Sequence, residues 1–394
     1  MSSTNFNAGI DSSDLQIISK KESAWGANPA GGSFKTLRIL SESLAETKTR
    51  SRPAEIEAGG FAAHGITTQC SAGGDISFAI SYGTMDDFLE GMLNSTFGSE
   101  KVVTGGSGAI AAVAASKKFT GTSLFAGAAV GDWVYVSGFV TNLGNNGWHR
   151  VTAKSANDIT VASVLVNETP SGAVKLRGAQ MKNGVVLNSH TIQKRLATSL
   201  FLIYTGAYVS GGSISVSVGD FAQGSVTLLA KDENKGTGDA TGGSIVAAPT
   251  GQVMDTVTGF KSLRMDDATL SNDGIAQSIT LNVTKNNARA QYGLGSSAAA
   301  GMGRGTFQVD GTLSMYFKTF TLYDKYKAET DVKLSFALQD AAGNSYSIFL
   351  PKVTLMNPTV QAGGPDSDVM ANFTLEASQD ATLGTLVIAK APAG

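Results

Sequence analysis

Alternation of apolar and polar positions is the clearest signal along the chain. Ile76, Phe78, Ile80 and Tyr82 follow a strict period of two, the mark of a strand with one face on a core. Met85, Phe88, Leu89, Met92 and Leu93 then fall at helical spacing, which predicts a strand running straight into a short amphipathic helix. Thr84 stands where an N-cap belongs, and Asp87 lies beside the positive end of the helix dipole. Upstream, Phe34, Leu37 and Ile39 alternate with polar neighbours, whereas residues 1–32 are polar, Gly-rich and weakly periodic and read as an N-terminal arm. Between them, Ala45 to Gly74 shows no apolar alternation and reads as one long loop carrying Lys48, Arg50, Arg52, Glu55 and Glu57. Loops of that length are functional or disordered far more often than they are simple connections.

Residues 101–181 read as a separate small β unit. Val130 to Val136 and Ile159 to Val166 give strand signals, and Asn145-Asn146-Gly147 gives a turn before Trp148. Alternation returns over 182–231, where Ile214, Val216 and Val218 face Val226 and Leu228. Residues 232–258, rich in Gly, Ala and Thr, read as a linker. From 259 onward the strand, turn and helix signals recur. At an offset of 235, Asp75 meets Asp310, Phe78 meets Leu313, Ile80 meets Met315, Tyr82 meets Phe317, Thr84 meets Thr319 as a second cap, and Phe88 meets Tyr323. The loop before the first strand has its counterpart in Lys285 to Arg304, which holds Arg289 and Arg304. Ser225 to Ala230 resembles Asn372 to Ala377 at an offset near 147. The offset falls by about the size of 101–181, so the pattern reads as a tandem duplication with an insertion in its first copy.

Composition agrees with a turn-rich β protein. Glycine supplies 47 of 394 residues and charged residues only 16%, while 42% are hydrophobic, which argues against disorder. A net charge of −2 with scattered Lys and Arg leaves no basic footprint for gripping nucleic acid. No apolar run approaches the ~18 residues of a membrane span, and Met1 to Gly9 lacks a signal-peptide layout. Cys70 alone excludes an internal disulfide and a Cys-based zinc cluster.

Catalytic and cofactor signatures are weak. Gly293-Leu294-Gly295-Ser296-Ser297-Ala298 matches a dinucleotide fingerprint, but its surroundings read as a hairpin rather than a βαβ unit. His64, His149 and His190 are scattered, no nucleophile elbow is present, and all three read most simply as loop or surface residues. Asp86-Asp87, Asp266-Asp267 and Asp366-Ser367-Asp368 could suggest acid–base work or calcium. The first pair has sufficient reason in a helix start, and Asp232 to Asp239 lacks the register of a calcium loop. No cofactor, metal or enzymatic activity is expected.

The chain resembles the siphophage major tail tube protein family in its duplicated, trimer-forming type. The resemblance runs through Lys21-Glu22-Ser23-Ala24-Trp25-Gly26-Ala27-Asn28-Pro29, Arg52-Pro53-Ala54-Glu55-Ile56, Gly73-Gly74-Asp75-Ile76-Ser77-Phe78 and Tyr82-Gly83-Thr84-Met85-Asp86-Asp87-Phe88-Leu89. In the second half it continues with Gly303-Arg304-Gly305, Leu313-Ser314-Met315-Tyr316-Phe317, Tyr323-Asp324-Lys325-Tyr326, Phe336 to Asn344 and Leu350-Pro351-Lys352-Val353. It implies a mainly β protein of two tandem antiparallel β-sandwich units, each with a flanking helix, plus an inserted small β-barrel. The units would be 33–100 with 182–231, and 259–394. Homotrimeric rings with a pseudo-sixfold lumen would stack into the tube of a long non-contractile tail, the conduit for genome delivery. Lys48, Arg50, Arg52, Glu55, Glu57, Arg289 and Arg304 become candidates for contact between rings. The implied partners are further copies of the chain, tape measure, tail terminator and tail tip proteins, and double-stranded DNA in passage only, with no membrane. The virion tail, assembled in the host cytoplasm, is the implied location, and the lumen is expected to be net acidic. The other readings are a β-rich cell-surface or carbohydrate-binding module with 101–181 as the binder, and a hydrolase whose site has no known signature.

Overall fold

The computed structural model describes residues 9–29, 31, 33–56, 59–170, 172–197, 199–237, 244–362 and 364–393. The strand expected from the period-two run is Ile66–Ala79, longer than its apolar core. On one edge it pairs antiparallel with Ser41–Glu42 and Ala45–Ser51, on the other with Gln223–Ala230. The ladder continues through the second half of Leu200–Ser217, then Ala276–Asn286, Thr306–Tyr316, Val369–Ala377 and the second half of Ser345–Ala362. Together they make one sheet, eight strands wide if Ser41–Glu42 and Ala45–Ser51 count as one.

Its two faces differ because side chains alternate along each strand. On one, Ile76, Val226, Val283 and Val309 form a buried row across the sheet, and Phe78, Ile214, Leu281, Leu375 and Leu355 form the next. Burying each such side chain contributes roughly 1.5–3 kcal/mol. The rows on the opposite face, from Asp75 to Gln308, from Ser77 to Thr354 and from Ala79 to Met356, carry mainly Ser, Thr, Asn and Gln. Their charged members are Asp75, Asp310 and Glu376, with no Lys or Arg.

A second layer covers the apolar face. The first half of Leu200–Ser217 pairs there with Ser189–Ala197 and Asp232–Gly236, and Ser189–Ala197 pairs with Gln16–Lys21. In the same way, the first half of Ser345–Ala362 pairs with Val332–Gln339 and Val387–Ala391, and Val332–Gln339 pairs with Phe260–Met265. Each 18-residue strand therefore crosses from one layer into the other. The helices Asp86–Leu93 and Thr321–Lys327 begin 235 residues apart and bury Phe88, Leu89, Met92 and Leu93 in the first and Leu322 in the second.

Several local expectations change. Thr84 does not cap its helix: Met85 holds that position, and the buried Thr84 hydroxyl bonds Ser81 Oγ at 2.8 Å. Thr319 likewise gives way to Phe320 and bonds Thr321 Oγ1 at 3.1 Å. The polar stretch from Ala45 is a two-stranded hairpin, whose first strand is mostly exposed and so shows no apolar alternation. Within the expected arm, Gln16–Lys21 is a strand that buries Ile17 and Ile18, and the expected linker begins with the paired strand Asp232–Gly236.

Among the described residues, 101–182 contain seven strands around their own core, including Ile110, Phe119, Phe125, Phe139, Val151 and Ile159. Pairing runs from Lys101–Ser107 through Ala173–Lys182, Trp133–Ser137, Gly147–Lys154, Asp158–Val161 and Lys118–Thr120 to Ala111–Val113. Among the described residues it does not return to its start. Ala112 is bridged to Glu168 instead, with N–H···O bonds of 2.8 and 3.1 Å, so this unit is an open curled sheet and not the expected closed barrel. It docks on the outward side of the second layer, where Trp133 and Trp148 pack with Ala337, Phe349, Val387 and Ala389. Ala173–Lys182 also pairs with Val387–Ala391.

Candidate functional site

Both polar stretches singled out in the sequence lie at one end of the eight-stranded sheet. In the first hairpin, Lys48 is exposed with its ammonium 3.4 Å from Glu46, and Arg50 donates to the Gly65 carbonyl. Arg52 and Glu55 are exposed on the connecting loop, and Glu57 lies outside the described residues. The second hairpin pairs Arg289–Gln291 with Gly301–Gly303. Exposed Arg289 donates to the Asn287 carbonyl at 3.1 Å, and Arg304 is exposed at the base while its carbonyl accepts from Tyr208 Oη at 3.1 Å. Among the described residues, Arg50, Arg52, Glu55, Arg289 and Arg304 make no ion pair within the chain.

The structure brings these two loops together. Cys70 N–H donates to Ser297 O at 2.8 Å, and Tyr292 Oη donates to Cys70 O at 2.9 Å. The glycine-rich fingerprint is thus the tip of a hairpin braced against its neighbour. Ile56, Phe61 and Leu294 stand exposed on the tips.

Beneath the hairpins lie two polar hubs, one buried around Lys285 and one half-buried around Glu22. Lys285 Nζ donates to Gly91 O, Asn94 Oδ1 and Val209 O at 2.6–2.8 Å and sits 4.2 Å from the Tyr208 ring centroid. Burial pushes its pKa down to about 7. The Glu22 carboxylate accepts from Gly26 N, Gly206 N, Ser189 Oγ and Thr191 Oγ1, fixing the N-terminal segment to the second layer. Glu22 carried no spacing signal, because its partners come from three separate segments.

The sheet's two outer edges form the second feature. Ala45–Ser51 is paired only with Ile66–Ala79, and the second half of Ser345–Ala362 only with Val369–Ala377, among the described strands. Exposed edges are a standing invitation to pair with another chain.

Most of the residues considered for chemistry have structural roles. His149 is buried rather than exposed, with Nδ1 2.5 Å from Ser163 Oγ and Nε2 3.0 Å from Asn145 O, and burial lowers its pKa to about 3. His190 is also buried, stacked on Phe88 at 4.7 Å between centroids. His64 is exposed in the first hairpin loop. Asp86 bonds Tyr346 Oη and Lys390, Asp87 pairs with Lys35 at 2.7 Å, Asp266 pairs with Lys325, and Asp267 pairs with Arg150 at 2.8 Å. Among the described residues, no group of three His, Cys, Asp or Glu is placed to hold a metal, and no helix is long and apolar enough to cross a membrane.

A family model described as phage tail tube protein matches residues 12–377. The chain belongs to the phage tail tube protein family. No curated protein matches it. Membership makes the chain a structural component of a phage tail and gives a non-enzymatic role to a scaffold whose buried histidines and carboxylates serve packing. The matched span includes both hairpins, the whole eight-stranded sheet, residues 101–182 and all of the second layer except Val387–Ala391.

Proposed function

We propose that the chain assembles as homotrimeric rings that stack into the tube of a siphophage tail, each chain supplying two copies of the tube fold. The observation that carries this reading is a join inside the chain. Gly211 to Ser217 pair with Thr284 to Ser278, splicing the sheet of the first half edge to edge onto that of the second. Carried over by the 235 offset, Ala276–Asn286 corresponds to the free edge at residues 41–51, and the other partner corresponds to the free second half of Ser345–Ala362. A neighbouring chain repeats the same join there, with Thr47 and Lys48 opposite Met356 and Leu355.

Eight strands per chain make roughly 24 in a trimer. At about 4.8 Å between strands and roughly 45° of tilt, the backbone diameter is about 50 Å and the bore about 40 Å, wide enough for a ~20 Å duplex. The face with Asp75, Asp310 and Glu376 lines the bore. Lacking cations in its central rows, it repels phosphate and lets double-stranded DNA pass unheld. The hairpins carrying Lys48, Arg50, Arg52, Glu55, Glu57, Arg289 and Arg304 touch the adjacent ring, and residues 101–181 project from the outside. Tape measure, terminator and tip proteins meet this tube during assembly in the host cytoplasm. Cryo-EM of tubes formed by the purified chain tests the reading: three chains per ring with Asp75 inside is the expected result, and six chains or a basic bore overturns it.

A further inference from the structure

A cleft of about 450 Å³ opens where the inserted unit meets the second layer. Tyr135, Gly147 and Trp148 wall it from the inserted unit, and Lys261, Arg264 and Gln339 from the body. Its volume falls in the range of small-ligand sites, and junctions between units are where such sites concentrate.

The charges in this cleft are one-sided. Lys261 and Arg264 line it, and no Asp or Glu does. Asp267, whose charge acts on Arg264, is paired with Arg150 at 2.8 Å, and Arg264 itself makes no ion pair among the described residues. Arg264 Nη1 donates to the Trp148 carbonyl at 3.2 Å, which anchors the guanidinium while leaving further N–H groups for a ligand. Tyr135 Oη accepts from Gln339 Nε2 at 2.6 Å, so the phenolic proton is left to donate. Trp148 is locked by its indole N–H to Ser345 Oγ at 2.7 Å and packs edge-on to Tyr135. The rim at Leu143 and Gly144 follows a loop pinned by Glu168, whose carboxylate accepts the N–H groups of Val140, Thr141 and Asn142 at 2.8–3.1 Å. The walls are therefore set before any ligand arrives, which lowers the ordering cost of binding.

We infer that this cleft binds an acidic sugar unit, its carboxylate or phosphate on Arg264 and Lys261 and its hydroxylated ring against Tyr135. A guanidinium free on one side suits a planar or tetrahedral anion through charge-assisted bonds. The aromatic wall with the Tyr135 and Ser262 hydroxyls suits a ring with one apolar face and a polar rim. The site lies on the side of the second layer turned away from the eight-stranded sheet, so it does not depend on ring formation.

The test is titration of the full-length chain with glucuronate, glucose and inorganic phosphate, read by tryptophan fluorescence and by calorimetry. Saturable binding of glucuronate about tenfold tighter than glucose is expected, weakened about tenfold by Arg264→Gln and by Lys261→Gln. Lys261 is exposed, so its variant keeps the fold even if Arg264→Gln does not. Equal responses to glucose and glucuronate, unchanged affinity in Lys261→Gln, or inorganic phosphate binding as tightly as the sugar acid each overturns the assignment.

Discussion

His190 offers a direct test of how the first half of the chain is held together. The ring is fully buried against Phe88, and neither ring nitrogen has a hydrogen-bond partner among the described residues. Burial lowers its pKa from 6.5 to about 4, opposed by the Asp87 carboxylate and reinforced by the Lys21 and Lys35 ammoniums. The unfolded chain takes up a proton near pH 6.5 while the folded chain does not, so stability falls as pH drops from about 6.5 towards 4. At about 1.4 kcal/mol per pKa unit, the loss approaches 3 kcal/mol, a large share of the 5–15 kcal/mol typical of a domain. Replacing His190 by Leu removes both the titration and two unpaired nitrogens. His190→Leu should therefore be more stable than the parent at pH 7 by about 1–2 kcal/mol, with a flatter profile between pH 6.5 and 4. Urea unfolding of unassembled subunits at a series of pH values, followed by tryptophan fluorescence, measures both. A variant less stable at pH 7 with an unchanged acid slope would falsify the reasoning, since the imidazole would then be hydrogen-bonded and its titration would lie elsewhere.

Two further outcomes follow from the hairpin end. Gly73 lies at φ +154, and a Cβ there would sit 2.2 Å from the Leu228 carbonyl oxygen; Gly73→Ala should cost at least about 2 kcal/mol in urea unfolding, and a cost under about 0.5 kcal/mol contradicts the packing described. Deleting residues 50–57 should leave a folded subunit, with unchanged circular dichroism, that no longer forms tubes under the electron microscope; long tubes from this deletion would remove the first hairpin from ring stacking.

How far the sequence could be read depended on how much apolar surface each element buries. Ile76, Phe78, Phe88 and Leu89 announced their strand and helix because each sends an apolar stripe into the core. Residues 101–181 gave their own run of strand signals, and many of their apolar side chains share one cluster. Ala45–Ser51 gave no strand signal, since it lies on a solvated edge and keeps its strand form through backbone pairing alone. Gln16–Lys21 was hidden because two adjacent residues, Ile17 and Ile18, are both buried, which breaks the period of two. Thr84 had the right residue type for a cap, but a buried hydroxyl found a nearer partner in Ser81. The buried state of His149 and His190, like the cleft beside Trp148, is made by segments far apart in the chain, and no local pattern encodes it.

The inserted unit also sets a timetable for synthesis. Ala72 pairs with Ala230 and Ala79 with Gln223, so one edge of Ile66–Ala79 waits for strands some 150 residues downstream. At roughly 5–20 residues per second, a ribosome needs about 10–30 s to deliver them. During that interval residues 101–181, which hold a hydrophobic cluster of their own, emerge. Closing so long a loop costs little extra free energy, only about 0.6 kcal/mol per doubling of length. The intervening residues thus burden the fold in time rather than in stability, because one edge of a nascent strand stays unpaired until its partner emerges.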